Sequence, residues 1–230
     1  MIEQIKIDVL DIDHITNCYL VWDEETKEAA IVDPADKAYL IEQRVEELGI
    51  TPKYVLLTHG HIDHTIALNK IMERYNIKTI AGIKEKNMLE GNCDDCSSRY
   101  GLEQVKHNMN DFILAKDNFV FQIGNMHFKV ISTPGHTKGC VCYYNEDTNE
   151  LITGDTLFYN CFGRCDLETS SIMDMYNSLK KIYRKYRSLN PHIYPGHGKI
   201  DIPLEDTYDD VRVLMYNNFR IDIGGYDESL

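Results

Sequence analysis

The run Tyr54-Val55-Leu56-Leu57 reads as a short buried strand. Directly after it, His59-Gly60-His61-Ile62-Asp63-His64 packs three histidines and an aspartate into six positions. A chain built this way must bury a strand and then hold imidazoles and a carboxylate side by side at its end. The pattern recurs: His136 in Ser-Thr-Pro-Gly-His follows the strand-like residues 127–131, Asp155 in Thr-Gly-Asp-Thr follows 150–153, and His197 in Tyr-Pro-Gly-His-Gly follows 192–194. Four separate strands are thus expected to deliver nitrogen or oxygen donors to one edge of the fold. Gly or Pro flanks three of these deliveries, as expected where a backbone turns sharply.

Periodicity supplies the frame around that edge. Strands are expected at residues 5–10, 17–22 and 29–32, with two early hairpins, and the last of these is stopped by Asp33-Pro34. Leu40, Ile41, Val45 and Leu48 recur at helical spacing between Lys37 and Gly49, and Ile66, Leu68, Ile71 and Met72 predict a second helix over 65–77. A short strand is expected at 78–81. The polar stretch 84–118 reads as a short helix and a long surface loop. Strands return at 119–123, 127–131, 140–144, 150–153 and 192–194, interrupted by a helix capped at Thr169-Ser170-Ser171, whose apolar face runs from Ile172 to Tyr186. Two halves of strands each followed by a helix predict a mixed α/β (α+β) fold, two sheets face to face with helices outside.

Composition bounds the function. With 43% hydrophobic and 27% charged residues in 230, the chain suits one soluble globular domain spanning residues 1–230. The formal net charge of -13 and a single basic cluster, Lys180-Lys181 with Arg184-Lys185-Arg187, argue against a nucleic-acid partner. No run is long enough to span a membrane, and the N-terminus lacks the basic flank and apolar core of a signal peptide, so a cytoplasmic location is expected. Seven cysteines, an odd number without an export signal, read as reduced thiols. Cys93-Asp-Asp-Cys96 has zinc or redox spacing but no second pair, and is expected to be structurally incidental.

Alternate residues of an extended loop point the same way, so His59 and His61 can grip one ion while Asp63 and His64, past a bend, face another. Imidazole with carboxylate suits zinc, and also iron or manganese, and the absence of cysteine from the set argues against a closed structural zinc site. His14, His107, His127 and His192 are expected to be ordinary hydrogen-bonded surface or core residues.

The run His59 to His64, followed in order by His136, Asp155 and His197, resembles the HxHxDH signature and downstream ligands of the metallo-beta-lactamase superfamily over most of the chain. Asp33, after Ala-Ala-Ile-Val, matches that family's first-motif aspartate. The stretches STPGHTKGCVCYY and GDTLFYNCFGRCDL resemble the glyoxalase II (hydroxyacylglutathione hydrolase) and persulfide dioxygenase branch, especially its compact bacterial members. True beta-lactamases of the fold place a cysteine where this branch has other residues. The resemblance implies a four-layer αββα sandwich and two divalent ions per chain, zinc first, with iron or manganese as alternatives. One ion would be held by His59, His61 and His136, the other by Asp63, His64 and His197, with Asp155 bridging. Asp63 and Asp155 are the expected catalytic carboxylates, and Arg164 stands where the branch keeps a basic residue near an anionic substrate. The implied activity is thioester hydrolysis by a binuclear metallohydrolase. The alternative is persulfide oxidation at a single iron held by His59, His136 and Asp155. The substrate would be a small thiol ester or persulfide, and the chain a monomer or homodimer. Residues 209–230 read as a short tail where larger glyoxalase II enzymes carry a helical domain.

Overall fold

Strand alternation assigns each apolar residue to one of three cores, and those cores define four layers. The structure is a computed structural model and describes residues 1–223. In the first sheet, β1 (Ile2–Asp8), β2 (Ile15–Trp22), β3 (Glu28–Val32), β4 (Thr51–Leu57), β5 (Lys78–Gly82) and β6 (Phe112–Ala115) lie in sequence order. β1 to β3 pair antiparallel as two hairpins, and β3 to β6 pair parallel. The second sheet runs β12 (Ile202–Pro203), β11 (His192–Pro195), β10 (Glu150–Gly154), β9 (Val141–Asn145), β8 (Met126–Ser132) and β7 (Val120–Ile123).

Because successive side chains point to opposite faces, Leu56 enters the central core while Val55 and Leu57 pack outward. Val130, Tyr143, Ile152 and Tyr194 meet Leu56 from the second sheet. The outer face of the first sheet is covered by α1 (Ala38–Leu48) and α3 (Leu68–Tyr75), through Ile41, Val45, Leu68 and Ile71. The outer face of the second is covered by α5 (Ile172–Tyr186) and α6 (Tyr208–Phe219), through Met175, Leu179, Ile182 and Val211. The expected αββα sandwich is the architecture found. Ser171 caps α5 by accepting from the Asp174 amide at 3.2 Å.

Three expectations are corrected. The helix expected over 65–77 is two: α2 (Ile62–Thr65), one turn that begins immediately after His61, and then α3. The stretch 84–118 holds the expected short helix, α4 (Lys86–Leu89), but the rest is not all loop, because Phe112–Ala115 is a strand that adds to the free edge of β5. Nor is 209–230 a plain tail: α6 buries Tyr208, Val211 and Met215 in the core beneath the second sheet. Residues 224–230 lie outside the described residues.

β3, β4 and β5 run parallel to one another, as do β8, β10 and β11, so the chain leaves all six at their carboxyl ends, where open α/β sheets place ligands. The two sheets are tied across this region. Thr58, just past β4, accepts from the Val141 amide at 2.9 Å, and the fully buried Tyr143 hydroxyl reaches Leu57 O at 2.9 Å and Ile80 O at 2.7 Å. A buried hydroxyl shared between two carbonyls contributes about 1–2 kcal/mol. Tyr143→Phe is therefore expected to lower the urea midpoint by about that much with an unchanged denaturant slope. An unchanged midpoint would show that the hydroxyl does not join the sheets.

Candidate metal centre

Each expected donor lies just past a strand end, and they converge. His59, His61, Asp63 and His64 follow β4, His136 follows β8, Asp155 follows β10 and His197 follows β11. His59, His61 and His136 form one group of nearby donor atoms, and His64, Asp155 and His197 another. Asp63 Oδ2 lies 3.5 Å from His197 Nε2 and 3.8 Å from His64 Nε2, on the second group's side. Asp155 stands between the groups: Oδ2 is 3.5 Å from both His136 Nε2 and His197 Nε2, and Oδ1 is 3.5 Å from His64 Nε2.

The rings are held from behind. Asp33, just past β3, accepts from the Thr58 amide at 2.8 Å and the Thr58 hydroxyl at 2.6 Å, and its Oδ2 is 3.0 Å from His64 Nδ1. Thr58 Oγ1 in turn lies 3.1 Å from His59 Nδ1. His136 Nδ1 lies 2.9 Å from the Arg164 carbonyl, and His197 Nδ1 lies 2.7 Å from the Ile15 carbonyl. A proton kept on the outer nitrogen leaves the inner nitrogen as a lone pair facing the site, the arrangement of metal-binding histidines. By distance alone Asp33 could share an ion with His59 and His64, but both its oxygens already accept hydrogen bonds, so it serves the site from outside.

These residues fit a metal centre. His59 Nε2 and Asp155 Oδ1 are buried without a hydrogen-bond partner. His61 Nδ1 faces His136 Nε2 at 2.9 Å and His64 Nε2 faces His197 Nε2 at 3.3 Å, pairs of lone-pair carriers that want a cation between them. A side chain at Gly196 would collide with Asp155 and His64, so only glycine lets the His197 loop approach this closely. Burial, helped by neighbouring imidazoles, pushes the His61 pKa down to about 3 and that of His59 well below the ordinary value. Burial also presses on His197, but the Asp155 and Asp63 carboxylates outweigh it and carry the pKa up to about 11.

Three participants escaped the sequence reading. His14 is no bystander: its Nε2 lies 2.9 Å from Asp63 Oδ2, and its ring packs edge-on against His197. Glu85, just past β5, is buried and accepts from the Gly60 amide at 2.8 Å and the Thr137 hydroxyl at 3.0 Å. Ile15 contributes only a carbonyl, which no residue type announces. His107, His127 and His192 bond instead to Asn69, Asp147 and Asp201, as expected of ordinary histidines.

Arg164 is half-exposed, and its guanidinium is clamped by Asp166 through two 2.7 Å contacts. With Phe162, Leu214 and Phe219 it lines a cavity of about 450 Å³. A slightly larger cavity, about 490 Å³, lies beyond the His136 loop against α5, and none of the donors lines either cavity. Cys93 and Cys96 lie outside the donor groups. Burial pushes the Cys93 thiol up and that of Cys96 to about 11, so neither is a ready thiolate at neutral pH.

The Metallo-beta-lactamase superfamily profile matches residues 11–200. The chain is 30% identical over 184 residues to hydroxyacylglutathione hydrolase GloC of Haemophilus influenzae, covering 79% of this chain and 85% of that protein. Among solved structures it is similar to BLEG-1 B3 metallo-beta-lactamase, with a TM-score of 0.76, 30% identity, and 87% and 93% of the two chains covered. TTHA1623 in a di-iron-bound form superposes with a TM-score of 0.78 at 24% identity over 92% and 99% of the chains, a likeness of fold alone. With the profile running from the β1–β2 turn past His197 and the donors gathered at one edge, the chain belongs to the metallo-beta-lactamase superfamily.

Proposed function

We propose that this metal-dependent hydrolase cleaves small thioesters of the hydroxyacyl-glutathione kind, using two divalent ions. The observation that carries the reading is the pair of donor groups with Asp155 between them, a member of the second group whose Oδ2 also lies 3.5 Å from His136 Nε2 of the first, and whose Oδ1 is buried without a hydrogen-bond partner. The relation to GloC supports the substrate class. Zinc is the first expectation for the ions, with iron or manganese as alternatives. When bound, such ions supply hydroxide near neutral pH and polarise the scissile carbonyl.

The chain's own residues do the rest. His59, His61 and His136 would present imidazole nitrogens to the first position, and Asp63, His64 and His197 the mixed set to the second. Asp155 keeps the two positions in register, because its two oxygens reach both groups. The thiolate of a cleaved thioester leaves without a strong general acid, so the reaction asks for none. Arg164 borders the 450 Å³ cavity, where its guanidinium would meet an anionic carrier while Phe162, Leu214 and Phe219 cover the apolar part. To do so it must exchange part of its pairing with Asp166, which lowers the net gain.

Elemental analysis of protein purified without chelator or added metal is expected to give close to two ions per chain, with thioester turnover exceeding turnover of a beta-lactam. One iron per chain with oxygen uptake on a persulfide would instead establish the dioxygenase, and faster beta-lactam cleavage would establish a lactamase. Asp155→Ala is expected to lose at least one ion and to drop in activity by more than the roughly 10–100-fold that follows loss of an outer partner. Full metal content with unchanged turnover would remove the bridge. Arg164→Ala should raise KM by up to about tenfold, equivalent to ~1.4 kcal/mol, with kcat nearly constant. Unchanged kinetics would remove Arg164 from the substrate site.

A further inference from the structure

His14 and Ile15 stand where the β1–β2 turn meets the second donor group. His14 Nε2 lies 2.9 Å from Asp63 Oδ2, the oxygen that also faces His64 and His197. Its ring packs edge-on against His197 at 5.1 Å between centroids and against Tyr100 at 5.7 Å. The next carbonyl, that of Ile15, lies 2.7 Å from His197 Nδ1. Two consecutive residues therefore grip two donors of one group, and neither contacts His59, His61 or His136.

The turn is built to hold that position. Leu10, Asp11 and Asp13 all have left-handed backbones, with φ of 55°, 56° and 62°, a conformation that aspartate tolerates but leucine keeps only when the surroundings enforce it. The enforcing contacts are present: Leu10 N donates to Asp36 Oδ2 at 3.0 Å, and Val9 N donates to His14 O at 2.9 Å. Past Ile15, Asn17 N donates to Gly196 O at 2.7 Å, and Asn17 Nδ2 donates to Pro195 O at 2.9 Å and Gly198 O at 3.2 Å. The start of β2 is thereby stitched to the loop that carries His197.

We propose that the 14–15 segment is a clasp for the second ion, in which His14 is the positioning residue for Asp63 and the Ile15 carbonyl positions His197. This rests on the two-ion reading. A carboxylate oxygen has two lone-pair directions, so Asp63 Oδ2 can accept the His14 N–H while the other direction serves the ion. The clasp acts on the second position and leaves the first alone, so the β1–β2 turn governs whether the chain carries one ion or two.

Competition with a chromophoric chelator, read as two stepwise zinc affinities, tests this on the wild-type chain, His14→Ala and His14→Gln. The expected result is a loss of about 10–100-fold in the weaker affinity for His14→Ala, an unchanged tighter affinity, and substantial recovery in His14→Gln, whose amide restores an N–H donor. The visible spectrum of the cobalt-loaded proteins should keep the same coordination number throughout. Two ions bound by His14→Ala as tightly as by wild type would overturn the clasp alone. So would a parallel fall of both affinities, the mark of a merely structural residue, or a cobalt spectrum that loses an imidazole ligand with no rescue by glutamine, which would make His14 a ligand. A wild-type chain that saturates at one ion would overturn the two-ion reading and the clasp with it.

Discussion

The buried carboxylate of Asp33 is the contact on which the metal centre rests. Its Oδ1 takes the Thr58 amide, and its Oδ2 takes the Thr58 hydroxyl and faces His64 Nδ1. Thr58 Oγ1, having given its proton to Asp33, can only accept from His59 Nδ1. One carboxylate thereby settles which nitrogen two imidazoles turn inward. The backbone bends to allow it: Asp33 has φ 46°, in the left-handed region that aspartate tolerates better than most residues. Without the carboxylate a buried amide and a buried hydroxyl would each be left short, at about 1–3 kcal/mol apiece, and both rings would be free to turn.

Glu85 does for two loops what Asp33 does for two rings. Gly60 lies between His59 and His61, and Thr137 directly follows His136, so a carboxylate bonded to both sets the spacing of the three imidazoles of the first group. Burial pushes its pKa up to about 7, against the hydrogen bonds from Gly60, Thr137 and Gly139 that favour the charged form. Any side chain at Gly139, in the turn that leads into β9, would strike Glu85, which explains the glycine there.

What the sequence makes legible is what local chemistry encodes. Donor types at strand ends and alternation along each strand depend on neighbours in sequence, and through them the layers and the seven expected donors could be read. β6 could not, because four residues in polar surroundings become a strand only when the edge of β5 pairs with them. α6 did carry a signal, with Tyr208, Val211 and Met215 at spacings of three and four, but the reading gave way to an expectation about where such chains end. His14 and Glu85 are single residues whose roles come from tertiary contacts. The partner of His14 lies 49 residues along the chain, and those of Glu85 lie 25 and 52 residues away in opposite directions.

Charge explains why the two donor groups are unlike positions even though they share Asp155. Asp33, Asp63 and Asp155 are all buried around His64 and His197, and buried carboxylates need positive charge close by. Burial disfavours the charged rings, yet Asp155 and Asp63 carry His64 and His197 above the ordinary histidine value. His59 and His61 go the other way, because burial and mutual repulsion of imidazolium keep them neutral. The first group is thus an all-imidazole set, and the second a mixed set of imidazole and carboxylate. Asp63 and His197, the members of the second set nearest the β1–β2 turn, are held from that turn by His14 and the Ile15 carbonyl.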